Sequence, residues 1–577
     1  MTGFMGLISK EKNKLDCNFD IAIPSTTSRI EDKKIINNCW FKRSIINKFI
    51  NDKIFVDEPD IFICTDGIIL NSTSLMNTFN VKDIFHLLRD LYNQDSSLFP
   101  VRLRGNFSGA IYDKKQDTWI IFNDHVGSKP VFYYFDEMNG NFIFGSEFKM
   151  VLAGMKAIGL NPKMNEIGAY CLLSFGFILK DHTLIDGIKR LSPGSILKFH
   201  EGHISIFQYY QLKNTPYIDL PDEQIIEELD RRFQAAIKSE YEKDLEYGYK
   251  HIATLSGGLD SRTNVLYGKK IGISTILTIC FSQSNYADEK ISKQIASDVG
   301  YPYLYSSLDN GNYLKDIEKY VLVNDGLVYY TGAAHQYSML ELIDWTNFGL
   351  LHTGEIGDLI MGSYLIEPKH HKTNESMIDK VVISKKLIKR IPKEVINDCI
   401  NMHSNDELFA FYEKCVNGVF NGFRMTEQFT EFSSPFLYID FLEYAIKIHP
   451  KMRFYEQIYL DWIQKKTPEA KKYIWEKTGS PISAGKWRIK FSGLMRDIKK
   501  IMQGPSPNDS MNPLEYWYIS NPDLKNCFDN YYKINIPLLN NYPILKEDAK
   551  FLYEEGSPDE KRLVLTLLAA IKIHELN

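Results

Sequence analysis

Ser256-Gly257-Gly258-Leu259-Asp260-Ser261 follows an apolar run, His251-Ile252-Ala253-Thr254-Leu255, and leads into Thr263–Lys270. The run reads as a buried strand and the following segment as a helix, so these six residues form the turn between them. A strand, a tight Gly-Gly turn and a helix N-terminus together make an anion site. Adjacent glycines are expected to take positive φ and let the backbone approach a ligand, while the first free N–H groups of the helix point at the guest. Phosphate is the expected guest. Asp260 would repel a bare phosphate, so a magnesium ion bridging carboxylate and phosphate oxygens is expected as well. The plainer reading is a strand-to-helix turn whose glycines serve sterics alone.

As a whole, Ser-Gly-Gly-Leu-Asp-Ser resembles the pyrophosphate-binding loop of the ATP pyrophosphatase enzymes and lacks the Gly-Lys-Ser/Thr ending of the Walker loop. That resemblance implies cleavage of ATP between the α and β phosphates, with AMP left on a substrate oxygen.

A chain of 577 residues is too long for one core, so two or three domains are expected. With 44% hydrophobic and 24% charged residues the composition is that of an ordinary globular protein. A net charge of −5 leaves no footprint for nucleic acid. Cys17, Cys39, Cys64, Cys171, Cys280, Cys399, Cys415 and Cys527 are scattered without a Cys-x-x-Cys pair, and read as buried hydrophobes of a reducing compartment. No apolar run approaches the roughly 20 residues needed to span a bilayer, and no signal-peptide h-region stands at Met1, so the expected location is the cytoplasm.

Short apolar or aromatic runs at Phe62–Cys64, Ala110–Tyr112, Trp119–Phe122, Val131–Phe135 and Phe142–Gly145, separated by turn signals such as Asp66-Gly67, predict packed antiparallel sheets before about Leu212. Here the resemblance widens. Met1-Thr2-Gly3-Phe4-Met5-Gly6, Leu103 to Asp113, Asp124-His125-Val126-Gly127-Ser128-Lys129-Pro130 and Gly145-Ser146-Glu147 look like successive landmarks of the glutaminase domain of asparagine synthetases. The likeness therefore covers most of the chain, and is to the asparagine synthetase family, which includes β-lactam synthetases and lasso-peptide cyclases. It implies an N-terminal Ntn-hydrolase-like αββα sandwich (residues 1–212) and a doubly wound parallel sheet of the ATP pyrophosphatase type with helical additions (residues 216–577).

Departures from the family pattern carry their own expectation. Glutamine-hydrolysing members have a nucleophilic Cys after the initiator Met; this chain has Thr2, a far weaker nucleophile near neutral pH. Asp66-Gly67-Ile68 stands where the family has Asn-Gly-Glu. A domain kept as scaffold, without glutaminase activity, is expected. Gly187–Gly194 carries the family's Pro-Gly turn, Phe207–Tyr210 reads as a last short strand, and Thr215–Pro221 as the linker. Asp222 is expected to cap the helix whose Ile225, Ile226, Leu229, Phe233, Ala236 and Ile237 share one face.

Beyond the loop, strands at Ser274–Phe281, Tyr303–Ser306 and Phe348–His352 alternate with helices such as Ala287–Val299, the pattern of a parallel sheet with ligands at its carboxyl edge. Thr278 and Cys280 either line an adenine pocket or are plain sheet core. Thr353-Gly354-Glu355-Ile356-Gly357-Asp358 resembles the family's Ser-Gly-Glu-Gly-Ala-Asp, which assigns Gly354 to the nucleotide and Asp358, with Asp260, to magnesium. Glu355 is then an acid/base group or an orienting one. Glu431-Phe432-Ser433-Ser434-Pro435-Phe436-Leu437 resembles Glu-Ala-Arg-Val-Pro-Phe-Leu, placing Glu431 at the active site with the arginine replaced by Ser433. The family's lysine over the reacting phosphate matches Lys477, with Lys486 and Lys490 as rivals. Residues 495–577 read as helical, serving either domain packing or a docking surface.

The function so implied is an AMP-forming carbon–nitrogen ligase using ATP and Mg2+. Ring closure on a peptide carrying both carboxylate and amine is the leading version; it would bring a leader-peptide-binding protein and a protease as partners. Amidation with ammonia or glutamine and a non-catalytic ATP-binding protein are the alternatives.

Overall fold

The computed structural model describes residues 3–9, 28–484 and 504–576. Twelve strands build the N-terminal domain: β1 (Gly3–Ile8), β2 (Arg29–Ile36), β3 (Cys39–Ile46), β4 (Phe55–Asp57), β5 (Ile61–Gly67), β6 (Phe107–Asp113), β7 (Thr118–Asn123), β8 (Phe132–Asp136), β9 (Asn141–Gly145), β10 (Ile188–Arg190), β11 (Ser195–His200) and β12 (His203–Gln208). They form two antiparallel six-stranded sheets, ordered β10-β8-β9-β1-β3-β2 and β12-β11-β7-β6-β5-β4. Alternation along β5 shows why they stack: Phe62 and Cys64 point between the sheets, and Ile61 and Ile63 point outward. Phe4, Phe41, Trp119 and Phe144 fill the space between, with Trp119 stacked 4.8 Å from Tyr112. Many of the chain's aromatic rings are thus sandwich core.

Helices close both outer faces. Ile84, Leu88 and Leu91 of α2 (Ile84–Gln94), which follows α1 (Ser72–Phe79), cover Ile63, Ile111 and Phe122. Residues of α3 (Phe148–Ala157) and α4 (Glu166–Phe175) cover Met5, Leu7 and Ile143. The result is a four-layer αββα sandwich of the Ntn type. The last strand ends at Gln208, short of the expected Tyr210; Tyr209 instead turns inward and donates its hydroxyl to Asn123 O at 2.7 Å.

The second domain begins with α5 (Asp222–Glu246), whose expected apolar face is buried throughout. Pro221, in extended conformation, is its N-cap, and Asp222 makes no side-chain capping bond. Asp222 lies one residue too far along to cap, so its charge faces the helix dipole from inside the first turn. Five parallel strands follow: β13 (Lys250–Thr254), β14 (Ile276–Ser282), β15 (Tyr303–Ser307), β16 (Phe348–His352) and β17 (Phe432–Ser433), in the order β15-β14-β13-β16-β17. The chain enters at the central β13 and builds outward to both sides, so the crevice at the carboxyl ends of β13, β14 and β16 is the ligand position the topology dictates. Two helices, α6 (Leu259–Lys270) and α7 (Ala287–Val299), pack beside them.

The C-terminal helices are core. Pro558–His574, started by a Ser557–Glu560 capping box, buries Leu563, Leu567, Leu568 and Ile571 completely. Its end seats against the first domain, with the His574 ring 5.2 Å from Phe148. No helix of the described residues is long and apolar enough to cross a membrane.

Candidate active site

The loop Ser256–Ser261 ends β13 and opens α6, whose N-cap is Gly258. The helix starts at Leu259, four residues before the expected Thr263, so the amides of its first turn, at Leu259, Asp260 and Ser261, lack acceptors within the helix. Neither Gly257 nor Gly258 adopts positive φ; Gly258 sits at −70°. Close approach is what the loop demands instead. A Cβ at Gly257 would lie 2.9 Å from Glu476 Cβ and 3.0 Å from Asp288 Oδ1. Gly257 N donates to Asp288 Oδ1 (2.7 Å), and Gly257 O accepts from Arg262 Nη2 (2.8 Å) and Glu476 N (3.1 Å). Ser256 Oγ and Ser261 Oγ, 2.9 Å apart, brace the loop across its mouth.

The acidic segment after β16 presses against this loop. A Cβ on Gly354 would fall 2.4 Å from Asp260 C, and one on Gly357 2.6 Å from Asp260 Cγ. Both glycines are therefore required for contact. Between them Ile356 holds φ +63°, a costly conformation for a β-branched residue. Asp358 N donates to Asp260 Oδ2 (2.9 Å), which joins the two carboxylate-bearing turns directly. Tyr459 donates its hydroxyl to Asp260 Oδ1 (2.8 Å). Burial and the nearby Asp358 charge raise the Asp260 carboxyl well above its ordinary range; the same causes push Glu355 up to about 7.

These turns enclose a cleft of about 260 Å³. Ser256, Gly258, Asp260, Ser261, Cys280, Gly354, Glu355 and Asp358 line it, along with Leu255, Ile279, Phe281, Asp288, His335, Gln336 and Met511. Three expected residues stand back from it. Gly257 is the loop's underside, Leu259 points into the apolar core, and Thr278 is fully buried with its hydroxyl donated to Pro302 O (2.8 Å). On β14 only the residues after Thr278 reach the cleft.

Lys477 lies on the turn between the short strands Ile474–Trp475 and Ser480–Pro481. Its ammonium is half exposed and pairs with Glu456 Oε2 at 2.8 Å. Burial raises the Glu456 carboxyl, Lys477 lowers it and Asp358 raises it again, so the lysine and the acidic turns share one electrostatic neighbourhood. Arg262, fully buried, donates from Nη2 to both Gly257 O (2.8 Å) and Ile474 O (2.6 Å), clamping the Lys477 hairpin to the glycine loop. Lys486 and Lys490 lie outside the described residues, as does Thr2.

Glu431 is not in the cleft. It is buried at the junction of the domains, where its oxygens meet Lys53 Nζ (2.6 Å) and Lys129 Nζ (2.7 Å). Lys129 also approaches Glu427 (3.0 Å) and Asp66 (3.6 Å), and Arg424 approaches Glu427 (2.7 Å). The two lysines hold Glu431 down to about 2, while burial and Glu431 itself lift Glu427 to about 6. Asp66 thus belongs to an ion cluster that runs from the first domain to β17, and Ser434, just beyond, donates to Glu355 O (2.9 Å).

Several residues of the site carried no sequence signal. Glu456 and Tyr459 come from a helix–kink–helix segment in which Tyr455 and Glu456 adopt φ near +56°, and Asp288 reads as an ordinary first-turn acid. Lys129 had one: it sits in the quoted Asp124–Pro130 landmark.

The asparagine synthase domain family matches residues 228–412 and the glutamine amidotransferase domain family residues 76–210, together more than half of the chain. Among curated proteins, a putative glutamine-hydrolyzing asparagine synthetase 2 of Methanocaldococcus jannaschii is 31% identical over 36% of this chain and 40% of its own. Asparagine synthetase 1 of Bacillus subtilis is 23% identical over 42% of this chain and 37% of its own. Asparagine synthetase B of Escherichia coli is 23% identical over 63% of this chain and 57% of its own. The alignments span about two fifths of the first two relatives and under three fifths of the third. A glutamine amidotransferase domain followed by an asparagine synthase domain is the order of the two matches, and the chain is similar in both to the asparagine synthetase family.

Proposed function

We propose that the protein is an AMP-forming carbon–nitrogen ligase in which residues 216–577 activate a carboxylate with ATP and residues 1–212 serve as scaffold. One observation carries the reading: two glycine-dependent contacts bring Asp260 of the phosphate loop and Asp358 of the acidic turn into one cleft. A substrate carboxylate oxygen attacks the α-phosphorus of ATP, and the bond to the β-phosphate breaks. Pyrophosphate leaves toward the Ser256–Ser261 loop, and an acyl-adenylate remains. An amine then attacks the acyl carbon, and AMP departs with the bonding pair of the single bond between that carbon and the phosphate oxygen.

Asp260 and Asp358 would hold Mg2+; hard oxygen donors that repel each other when empty are the donor set such a cation takes. The cation would neutralise phosphate charge. Glu355, whose carboxyl burial and the Asp358 charge push up to about 7, is assigned to accepting the amine's proton. Lys477 is assigned to the negative charge that develops on the phosphate, a contribution of about 3–4 kcal/mol.

For the nitrogen source, the Asp66-Gly67-Ile68 departure and the ion cluster that engages Asp66 favour an amine borne by the substrate over one released from glutamine. We therefore favour ring closure of a peptide, as in lasso-peptide cyclases, with a leader-binding protein and a protease as partners. The relatives, glutamine-hydrolyzing asparagine synthetases, support a second reading, amidation with ammonia or glutamine. Pyrophosphate release measured with a precursor peptide, with aspartate plus ammonia, and with aspartate plus glutamine separates the two. Release with the peptide alone is the expected result, and release with glutamine but not the peptide contradicts it. In the productive pair, Lys477→Ala should lower turnover while ATP binding stays nearly intact; unchanged turnover removes Lys477 from its role.

A further inference from the structure

A second cavity, of about 380 Å³, lies between strands β10 to β12 and the helix Ala410–Val419, and none of its lining residues lines the phosphate cleft. The volume is that of a small-ligand site, and junctions between domains are where such sites occur. Its wall is unusual. Ala410–Val419 winds as a π-helix, a form that is rare and concentrated at functional sites. Tyr412, Glu413, Val416 and Asn417 come from that helix, and Arg190 comes from β10 opposite.

Arg190 is the informative residue. It is 7% exposed, and its guanidinium donates to Asn417 Oδ1 (3.2 Å) and Gly127 O (3.3 Å), both neutral acceptors. Among the described residues no carboxylate lies within ion-pair distance of it. Glu413, on the same cavity, is already engaged by His403 Nε2 (2.9 Å), Lys180 N (3.0 Å) and Asn417 Nδ2 (3.1 Å). Asp181, also lining it, pairs with Lys189 (3.3 Å). Burial and the nearby Arg424 push the Arg190 pKa down to about 9, with the more distant Asp124 and Glu413 charges opposing them only in part. A buried, unpaired cation beside open volume is stabilised by an anion that enters that volume.

We propose that this cavity is a second ligand site, separate from the nucleotide cleft, that takes a small molecule through a carboxylate or phosphate group set against Arg190. Tyr133, Tyr412 and Val416 supply the flat and apolar walls for the rest of the ligand. Its occupant is independent of the ligase reading.

Titration calorimetry on the full chain with malonate and with inorganic phosphate, the cleft first filled with a non-hydrolysable ATP analogue, tests this. One anion should bind saturably; malonate would identify a carboxylate ligand and phosphate a phosphate ester. Arg190→Gln should weaken that binding about tenfold or more, the loss of charge-assisted hydrogen bonds. Met402→Trp, at a rim residue 54% exposed, should weaken it by obstruction without disturbing the core, and decides the question if Arg190→Gln does not fold. Binding by neither anion, or binding unchanged by Met402→Trp, overturns the proposal.

Discussion

Two acidic clusters, one buried at the domain junction and one open to the cleft, are balanced in opposite ways. At the domain junction Asp66, Glu427 and Glu431 face Lys53, Lys129 and Arg424, three carboxylates against three cations. In the cleft four carboxylates, Asp260, Asp288, Glu355 and Asp358, line the walls, and among the described residues neither lysine nor arginine joins them there. The first cluster is complete within the protein and behaves as structure. The second keeps repulsion between its carboxylates that a bound cation would relieve, which marks it as a place where chemistry happens. Burial differs as well: Asp66, Glu427 and Glu431 are almost wholly buried, whereas in the cleft Asp260 and Glu355 are half-buried and Asp358 is exposed.

That contrast can be broken most forcefully at the junction. Glu431→Gln leaves Lys53 and Lys129 poorly matched in a buried site and should cost about 3–5 kcal/mol in urea unfolding. A stability equal to the parent would mean the junction is not held by its ions. The mirror experiment is Asp260→Asn. It should lower turnover about 10²–10³-fold, the size expected for losing preorganised charge stabilisation. Without ligands, its melting temperature should stay level or rise, because the substitution removes repulsion and an amide can still meet Asp358 N and Tyr459. Destabilisation as large as that of Glu431→Gln would erase the distinction between the clusters.

Ligand and proton linkage sharpen the same comparison. Mg-ATP at a hundredfold excess over its Kd should stabilise the protein by about 2.7 kcal/mol. The gain should be greater at pH 8 than at pH 6, since Asp260 is raised and Glu355 titrates at about 7, and protons compete with the cation for these carboxylates. The junction responds in the other pH range. Glu431 is depressed to about 2 from an ordinary 4.5, so its stabilisation is fully present above 4.5 and is lost as pH falls from there through 2. Acid unfolding followed by circular dichroism should show this component in the parent and lack it in Glu431→Gln. The smallest effect is expected at Thr2→Ala, which should leave amide formation unchanged if the first domain is scaffold; loss of activity would restore a role to the N-terminal residue.

How much of this was legible in the sequence varied with the kind of signal. The glycine loop, the Asp358 turn and the positions of the strands that alternate with helices were readable because each is local: a six-residue phrase or an apolar run with its breakers. The burial of Ile225 through Ile237 along α5 followed from spacing alone. Where contact is made across the fold, the sequence was silent or misleading. Glu431 and Lys129 lie 302 residues apart, and only packing of the domains turns a presumed active-site glutamate into half of an ion pair. The glycines of the loop were expected both for positive φ and for close approach; neither takes positive φ, and Gly257 is needed for the tight space that Glu476 and Asp288 leave it. Tyr459 reaches Asp260, and Glu456 reaches Lys477, through a left-handed kink at Tyr455 and Glu456 that no breaker announces.

ATP–pyrophosphate exchange tests the central claim most directly. With magnesium and the carboxylate substrate present and the amine withheld or blocked, label from pyrophosphate should enter ATP, and Asp358→Asn should abolish the exchange. Formation of ADP and inorganic phosphate instead, with no label returning to ATP, would contradict adenylation in this cleft.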